Sequence, residues 1–385
     1  MKIRILAFFL LISSAATSQI TTVSDGDWNN TAVWSCSCVP TSASGTITIN
    51  HQIDIPSGFS VNIDQTTVSS SGKLTIENGG TLSLQSVTYA LVVFGTVQAD
   101  QGSTISNATG SNIAFGTGGT YIHNYTTQEG SIPRAVWNAN STMTIQGYTT
   151  FSSATATGNW SQSFGHVSWN CTSQANTVTL NGLLTTVRGN LNILNTAGRI
   201  VQLTTSTRAI VSVTGDVTVQ GNSRFVVNTT SNGSGLVLNI GGDFNLQSTS
   251  SSSSLLTTTG NTTVNVAGDF NMNTPGSLYL SNTTNSTSVG TLNINGNFAL
   301  TAGTITEGVN DGAGAKGRIV FVNTAGQGKL HSFTNSGTIS NRIEYQLSSS
   351  ADTLQLVGES QLIGHGSSSF TLSGGTLIVE STHAS

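Results

Sequence analysis

Charge is what this sequence has least of. Only 7% of its 385 residues are Asp, Glu, Lys or Arg, against roughly 25% in an ordinary soluble domain. Lys+Arg 12 against Asp+Glu 16 leaves no basic field for nucleic acid or anionic lipid. The charged helix formers are scarce while Thr, Val and Ile are abundant, which favours strand over helix. Prolines number four and cysteines three, Cys36, Cys38 and Cys171, so a small disulfide-dense scaffold is excluded. After the first dozen residues no run is long and apolar enough for a membrane helix. No Gly-x-Ser-x-Gly, His-Glu-x-x-His or Walker loop occurs.

What is present begins with an export signal. Lys2 and Arg4 precede an apolar stretch, Ile5 to Ile12, and Ala16-Thr17-Ser18 supplies small residues for cleavage before Gln19. The rest of the chain combines 36% hydrophobic residues with 43 glycines, the apolar positions alternating with Ser, Thr and Asn. Such alternation specifies short strands joined by tight turns.

Five segments align without gaps: 185–193, 211–219, 238–246, 264–272 and 292–300. Leu238-Asn-Ile-Gly-Gly-Asp-Phe-Asn-Leu246 is representative. Their central glycines, Gly189, Gly215, Gly242, Gly268 and Gly296, are spaced by 26, 27, 26 and 28 residues. Positions 1, 3, 7 and 9 are apolar apart from one Thr, and even positions are polar, so the unit is a strand repeated once per coil. Further short strands such as Phe225-Val-Val227 and Leu278-Tyr-Leu280 lie between copies. The expectation is an all-β, right-handed parallel β-helix of about 27 residues per coil. About a dozen coils would make a rod on the order of 60 Å long. The invariant glycine, on the inward parity, is expected where the wall bends or the opposite wall comes close.

The chain divides into a signal peptide (1–18), an N-terminal cap (19–45), irregular coils (46–120), an aromatic-rich segment (121–171), regular repeats (172–303) and further coils (304–385) that stop without a polar cap. Several stretches are similar to large secreted β-helix surface proteins of bacteria that use type IX secretion. They include Gly26-Asp-Trp28, Val33-Trp34-Ser-Cys-Ser-Cys-Val39-Pro40, Tyr121-Ile-His123, Ala135-Val-Trp137, Val167-Ser-Trp169 and the Gly-Asp/Asn-Phe repeats. The opening also distantly resembles the eight-glycine domain of extracellular β-helix proteins. The resemblance implies a secreted or outer-surface location and carries over no catalytic residue.

Asn190, Asp216, Asp243, Asp269 and Asn297 follow the repeat glycines and should stack on successive coils. Asn at two of five positions fits turn capping better than chemistry, because an amide is neither a general acid nor a general base. Stacked carboxylates could alternatively hold Ca²⁺. Asp25-Gly-Asp27-Trp-Asn29-Asn30 matches only the start of a calcium loop and reads as a capping turn. Cys36-x-Cys38 can bond internally only with strain, which leaves a bond from either to Cys171 open. These cysteines with His51 match no zinc knuckle.

The best ligand-binding candidates are Tyr121, His123, Trp137, Trp160, His166 and Trp169, since aromatic faces stack on sugars. The alternative is that they fill a wide core. Glu129 and Arg134 lie nearby in sequence. Gly312, Gly314 and Gly317 form a Gly-x-Gly-x-x-Gly, but a strand follows it, so no helix N-terminus would hold a phosphate. The function expected is structural or adhesive, on the cell surface or in the secretome, in contact with polysaccharide or matrix and without a cofactor. A polysaccharide-degrading β-helix enzyme, or a stalk for a missing C-terminal domain, are the alternatives.

Overall fold

The computed structural model describes residues 19–379 apart from 108–109, 111, 206–208, 230–234, 253, 258–260, 282–288, 308–315, 341–342, 361, 363–369 and 373. The export signal and most of the Gly312–Gly317 motif lie outside the described residues. The chain is a β-solenoid of about twelve turns, with essentially no helix. Every pairing between its strands is parallel, and the antiparallel Thr22–Trp34 bridge lies in the N-terminal segment.

Period-two patterning explains the walls. In the representative repeat Leu238, Ile240, Phe244 and Leu246 are each at most 2% exposed, while Asn239 and Asn245 face outward. Each coil places the same side chain above its predecessor, so the core is built of columns. Phe244, Phe270, Phe298 and Phe333 form one such column, with successive ring centroids 5.7, 5.4 and 4.6 Å apart. Burying each of these rings contributes about 1.5–3 kcal/mol.

The coil length is not uniform. Thr218 pairs with Asn245, and Asn245 with Asn271, which gives the 26–27-residue repeat of the regular section. Asp54 pairs with Thr75, only 21 residues on, and Thr75 with Gln98, 23 residues on. The 27-residue estimate therefore holds for the regular repeats, whereas earlier coils have shorter turns and the average falls to about 25 residues.

At the N-terminal end Trp28 and Trp34, both essentially unexposed, pack edge to face at 4.8 Å. Their indole N–H groups donate to the carbonyls of Pro40 and Trp28. Cys36 and Cys38 are bonded to each other. The cost of that short ring shows at Ser37, held at φ +54, a left-handed conformation unfavourable for a residue with a Cβ. Cys171 is free and buried, and burial pushes its thiol up to about 12. Among the described residues no helix is long and apolar enough to cross a membrane.

Candidate functional site

The aromatic segment is interior, which corrects its reading as a sugar-stacking surface. Tyr121, His123, Trp137, Trp160 and Trp169 are all 3% exposed or less. Phe115 stacks on Trp137 at 4.3 Å, and His123 on Tyr125 at 4.2 Å. The indole N–H groups are satisfied inside the protein. Trp137 donates to Gln162, Trp160 to Glu129 and Trp169 to Gln174. Large rings with internal polar partners fill a wide core and expose no face to a ligand.

His123 sits at the centre of a buried polar network. Its Nε2 lies 2.6 Å from the Glu129 carbonyl oxygen, which can only accept, so Nε2 carries the proton. Nδ1 is then the acceptor for the Tyr121 hydroxyl at 3.1 Å. The Tyr148 hydroxyl also donates to the Glu129 carbonyl. Burial lowers the His123 pKa to about 4, so the ring is neutral. The Glu129 carboxylate accepts from the Thr155 N–H, the Thr155 hydroxyl and Trp160. Arg134 instead reaches Asn159, beside a depression of about 510 Å³ that Glu129 does not line. The acid and the cation serve different neighbours and form no common site.

The Asn/Asp column is a continuous hydrogen-bonded ladder, and it is longer than the repeat. The Asp243 N–H donates to Asp216 Oδ1 at 2.8 Å, and the Asp269 N–H to Asp243 Oδ1 at 2.7 Å. The Asn297 N–H donates to Asp269 Oδ1, and the Asp216 N–H to Asn190 Oδ1. His166, expected as a ligand contact, is half-buried here and begins the ladder: its Nδ1 accepts from the Asn190 N–H at 2.9 Å. Asn297 ends it, accepting from the Ser332 N–H. Each side chain thus caps the backbone of the next coil.

That arrangement also corrects the reason for the glycines. A Cβ on Gly215 would lie 2.0 Å from Asn190 Oδ1, on Gly242 2.1 Å from Asp216 Oδ1, and on Gly268 2.2 Å from Asp243 Oδ1. On Gly296 it would meet Asp269 Oδ1, and on Gly189 His166 Nδ1. The glycines clear space for the carboxylate or amide of the preceding coil, and the opposite wall is not the neighbour they avoid. The capping turn expected at Asp25 is built similarly, with its carboxylate accepting from the Gln52 N–H. Among the described residues no three His, Cys, Asp or Glu side chains converge on a common point.

A second ladder runs two residues before the glycines' own neighbours, at the second position of the repeat. Asn265 Nδ2 donates to Asn239 Oδ1 at 2.8 Å, and Asn293 Nδ2 to Asn265 Oδ1 at 2.7 Å. A shorter one joins Asn271 to Asn245 on the adjacent wall. Beside the Asn239–Asn265–Asn293 ladder lies a groove of about 520 Å³. Thr214, Gly241, Ala267 and Asn295, the fourth residues of successive repeats, line it with small or uncharged side chains. The Asn295 Nδ2 donates to the Ala267 carbonyl, but its Oδ1 is buried without a donor. The signal in the sequence was Asn at repeat position 2 in three consecutive copies, which parity placed on the outer face without indicating a groove.

Past the regular repeats the glycine column is taken over by His331, fully buried. Its Nδ1 donates to the Gly296 carbonyl at 2.8 Å, and its Nε2 faces Asp352 Oδ2 at 3.5 Å. Burial pushes the Asp352 carboxyl up, but hydrogen bonds from Asn323, the Lys329 N–H and His331 outweigh it and leave it below its ordinary value. No protein-family model, curated protein or solved structure matches the chain.

Proposed function

We propose that this chain is an extracellular structural or adhesive rod, carried at the outer surface of a bacterial cell or released from it, where it contacts glycans or matrix. The observation that carries the reading is the ladder from His166 to Ser332, in which side chains tie each coil to the next along one wall. Groups engaged in this way hold the solenoid together and are not poised for acid–base chemistry. The resemblance of the opening segment to secreted surface proteins of bacteria with type IX secretion supports the same location.

Two measurements test the proposal. Immunogold labelling of intact producing cells should decorate the outer surface or the surrounding matrix. Beads carrying the purified protein should adhere to polysaccharide-coated surfaces without releasing reducing ends or unsaturated products. Confinement to the cytoplasm would overturn the location. Cleavage of any polymer would replace the rod with the enzyme alternative.

A further inference from the structure

We infer that the groove beside the Asn239–Asn265–Asn293 ladder binds an extended, uncharged polysaccharide lying along the solenoid axis. The inference rests on the adhesive reading above and names its ligand class.

Four observations converge. None of the groove's lining residues is charged, so an acidic or basic polymer would lose its hydration with no counter-charge in return. Each ladder amide has two N–H groups and a carbonyl with two lone pairs. Stacking consumes one Nδ2 donor of Asn265 and of Asn293 and one lone pair of Asn239 and of Asn265. What remains is a row of alternating donors and acceptors, which matches hydroxyl groups because a hydroxyl both donates and accepts. The buried Asn295 Oδ1 lacks a donor, and a hydroxyl entering the groove would supply one. Finally, the coils repeat at roughly 4.8 Å, so a ligand running along the axis meets the same pair of groups at every coil. The small residues at Gly241 and Ala267 keep the trough open for it.

The test uses the full chain, sedimented with insoluble cellulose, chitin and a β-1,3-glucan as uncharged probes and with cross-linked polygalacturonate as the charged one. Wild-type protein is expected to co-sediment with at least one uncharged polymer. Ala267→Trp, at an exposed position in the trough, fills the groove without touching the ladder contacts and should weaken binding at least about tenfold. Its melting temperature should not move. Asn265→Ala should weaken binding comparably, whereas Asn271→Ala, on the neighbouring wall, should not. Unchanged binding by Ala267→Trp and Asn265→Ala would overturn the groove assignment. So would co-sedimentation with polygalacturonate alone, or competition by an extended peptide and not by neutral oligosaccharides. If the wild type binds none of these polymers while protein-coated beads still adhere to a matrix, the inference fails and the adhesive reading stands. If the beads do not adhere either, both fail.

Discussion

Replacing Gly242 with alanine should be far more damaging than its position on the outer part of a turn suggests, and the damage should depend on Asp216. Gly242 does not need a positive φ, so the added methyl brings no backbone strain of its own. It brings a collision: the Cβ would sit 2.1 Å from Asp216 Oδ1 and 3.0 Å from the Gly215 carbonyl carbon. Asp216 must then swing away and release the Asp243 N–H, now bonded at 2.8 Å. A hydrogen bond to a charged acceptor contributes about 1.5–3 kcal/mol, so Gly242→Ala should cost about 2–3 kcal/mol. Asp216→Ala should cost the same bond without the clash. In the double variant the methyl finds the space vacated, and the combined loss should fall short of the sum by more than about 1 kcal/mol. The two backbone contacts near 3 Å keep the residual cost above zero. Urea unfolding followed by circular dichroism gives the four stabilities, and hydrogen exchange of the Asp243 amide reports the bond directly. As a control, Gly58 has φ +76 and open space around its Cβ position, so alanine there should cost about 1–2 kcal/mol whatever stands at 216. Additive losses for Gly242→Ala and Asp216→Ala would refute the argument that the glycine exists to admit the carboxylate.

Other consequences can be checked on the same protein. His123 is held neutral with its pKa lowered from the ordinary 6.5 to about 4, so the unfolded chain takes up the proton first as pH falls. Stability is complete above pH 6.5 and should drop by about 3 kcal/mol between 6.5 and 4, a slope that His123→Asn should flatten. His331→Gln or Asp352→Asn alone should each cost about 3–5 kcal/mol by leaving a buried partner unsatisfied, with a double apolar replacement recovering much of the loss in thermal melts. Cys36→Ser with Cys38→Ser opens a loop of only three residues, for which chain entropy allows at most about 1.6 kcal/mol. Cys171, buried with its thiol near 12, should resist alkylation at pH 8 in the native protein and react fully in urea.

Architecture was legible because a solenoid writes its period into the chain. The Gly-Asp/Asn pair at positions 5 and 6 and the apolar residues at 1, 3, 7 and 9 suffice to place strands, walls and columns. The short coils around Asp54 and Thr75 were less visible, since their alternation is preserved but no glycine marks the register. The binding surface was misplaced for a physical reason. Trp, Tyr and His look alike in a sequence whether they line a cleft or fill a core, and only burial separates Trp160 and Trp169 from a sugar platform. His166 escaped because a histidine can replace Asn as an acceptor for a backbone N–H, a substitution no repeat pattern announces. The unsatisfied Asn295 oxygen is likewise invisible without coordinates.

The scarcity of charge with which the sequence begins follows from the same columns. In a parallel solenoid an outward side chain has a counterpart about 4.8 Å above and below it. Two like charges at that distance repel by roughly 0.9 kcal/mol in water and several times more at a protein surface. An all-charged column would therefore lose stability with every coil added. The column Asp216–Asp243–Asp269 is tolerable because each carboxylate gains a backbone N–H, and because Asn190 and Asn297 flank it with neutral groups performing the same task. Where opposite charges share a column, as Arg318 and Glu344 do at 2.9 Å on paired strands, the repulsion becomes attraction. Elsewhere Asn, Ser and Thr take the outward places, forming ladders that need no counter-ion. Charging the Asn239–Asn265–Asn293 ladder should expose this logic. One aspartate at 265 keeps an acceptor for Asn293 but forfeits the donor to Asn239, whereas aspartate at all three positions adds two like-charge contacts. The triple variant should lose several kcal/mol more than three times the single one at low salt, and the excess should shrink in 1 M salt, where the screening length is about 3 Å. Equal losses per substitution at both salt concentrations would mean that column repulsion does not set the composition of these walls.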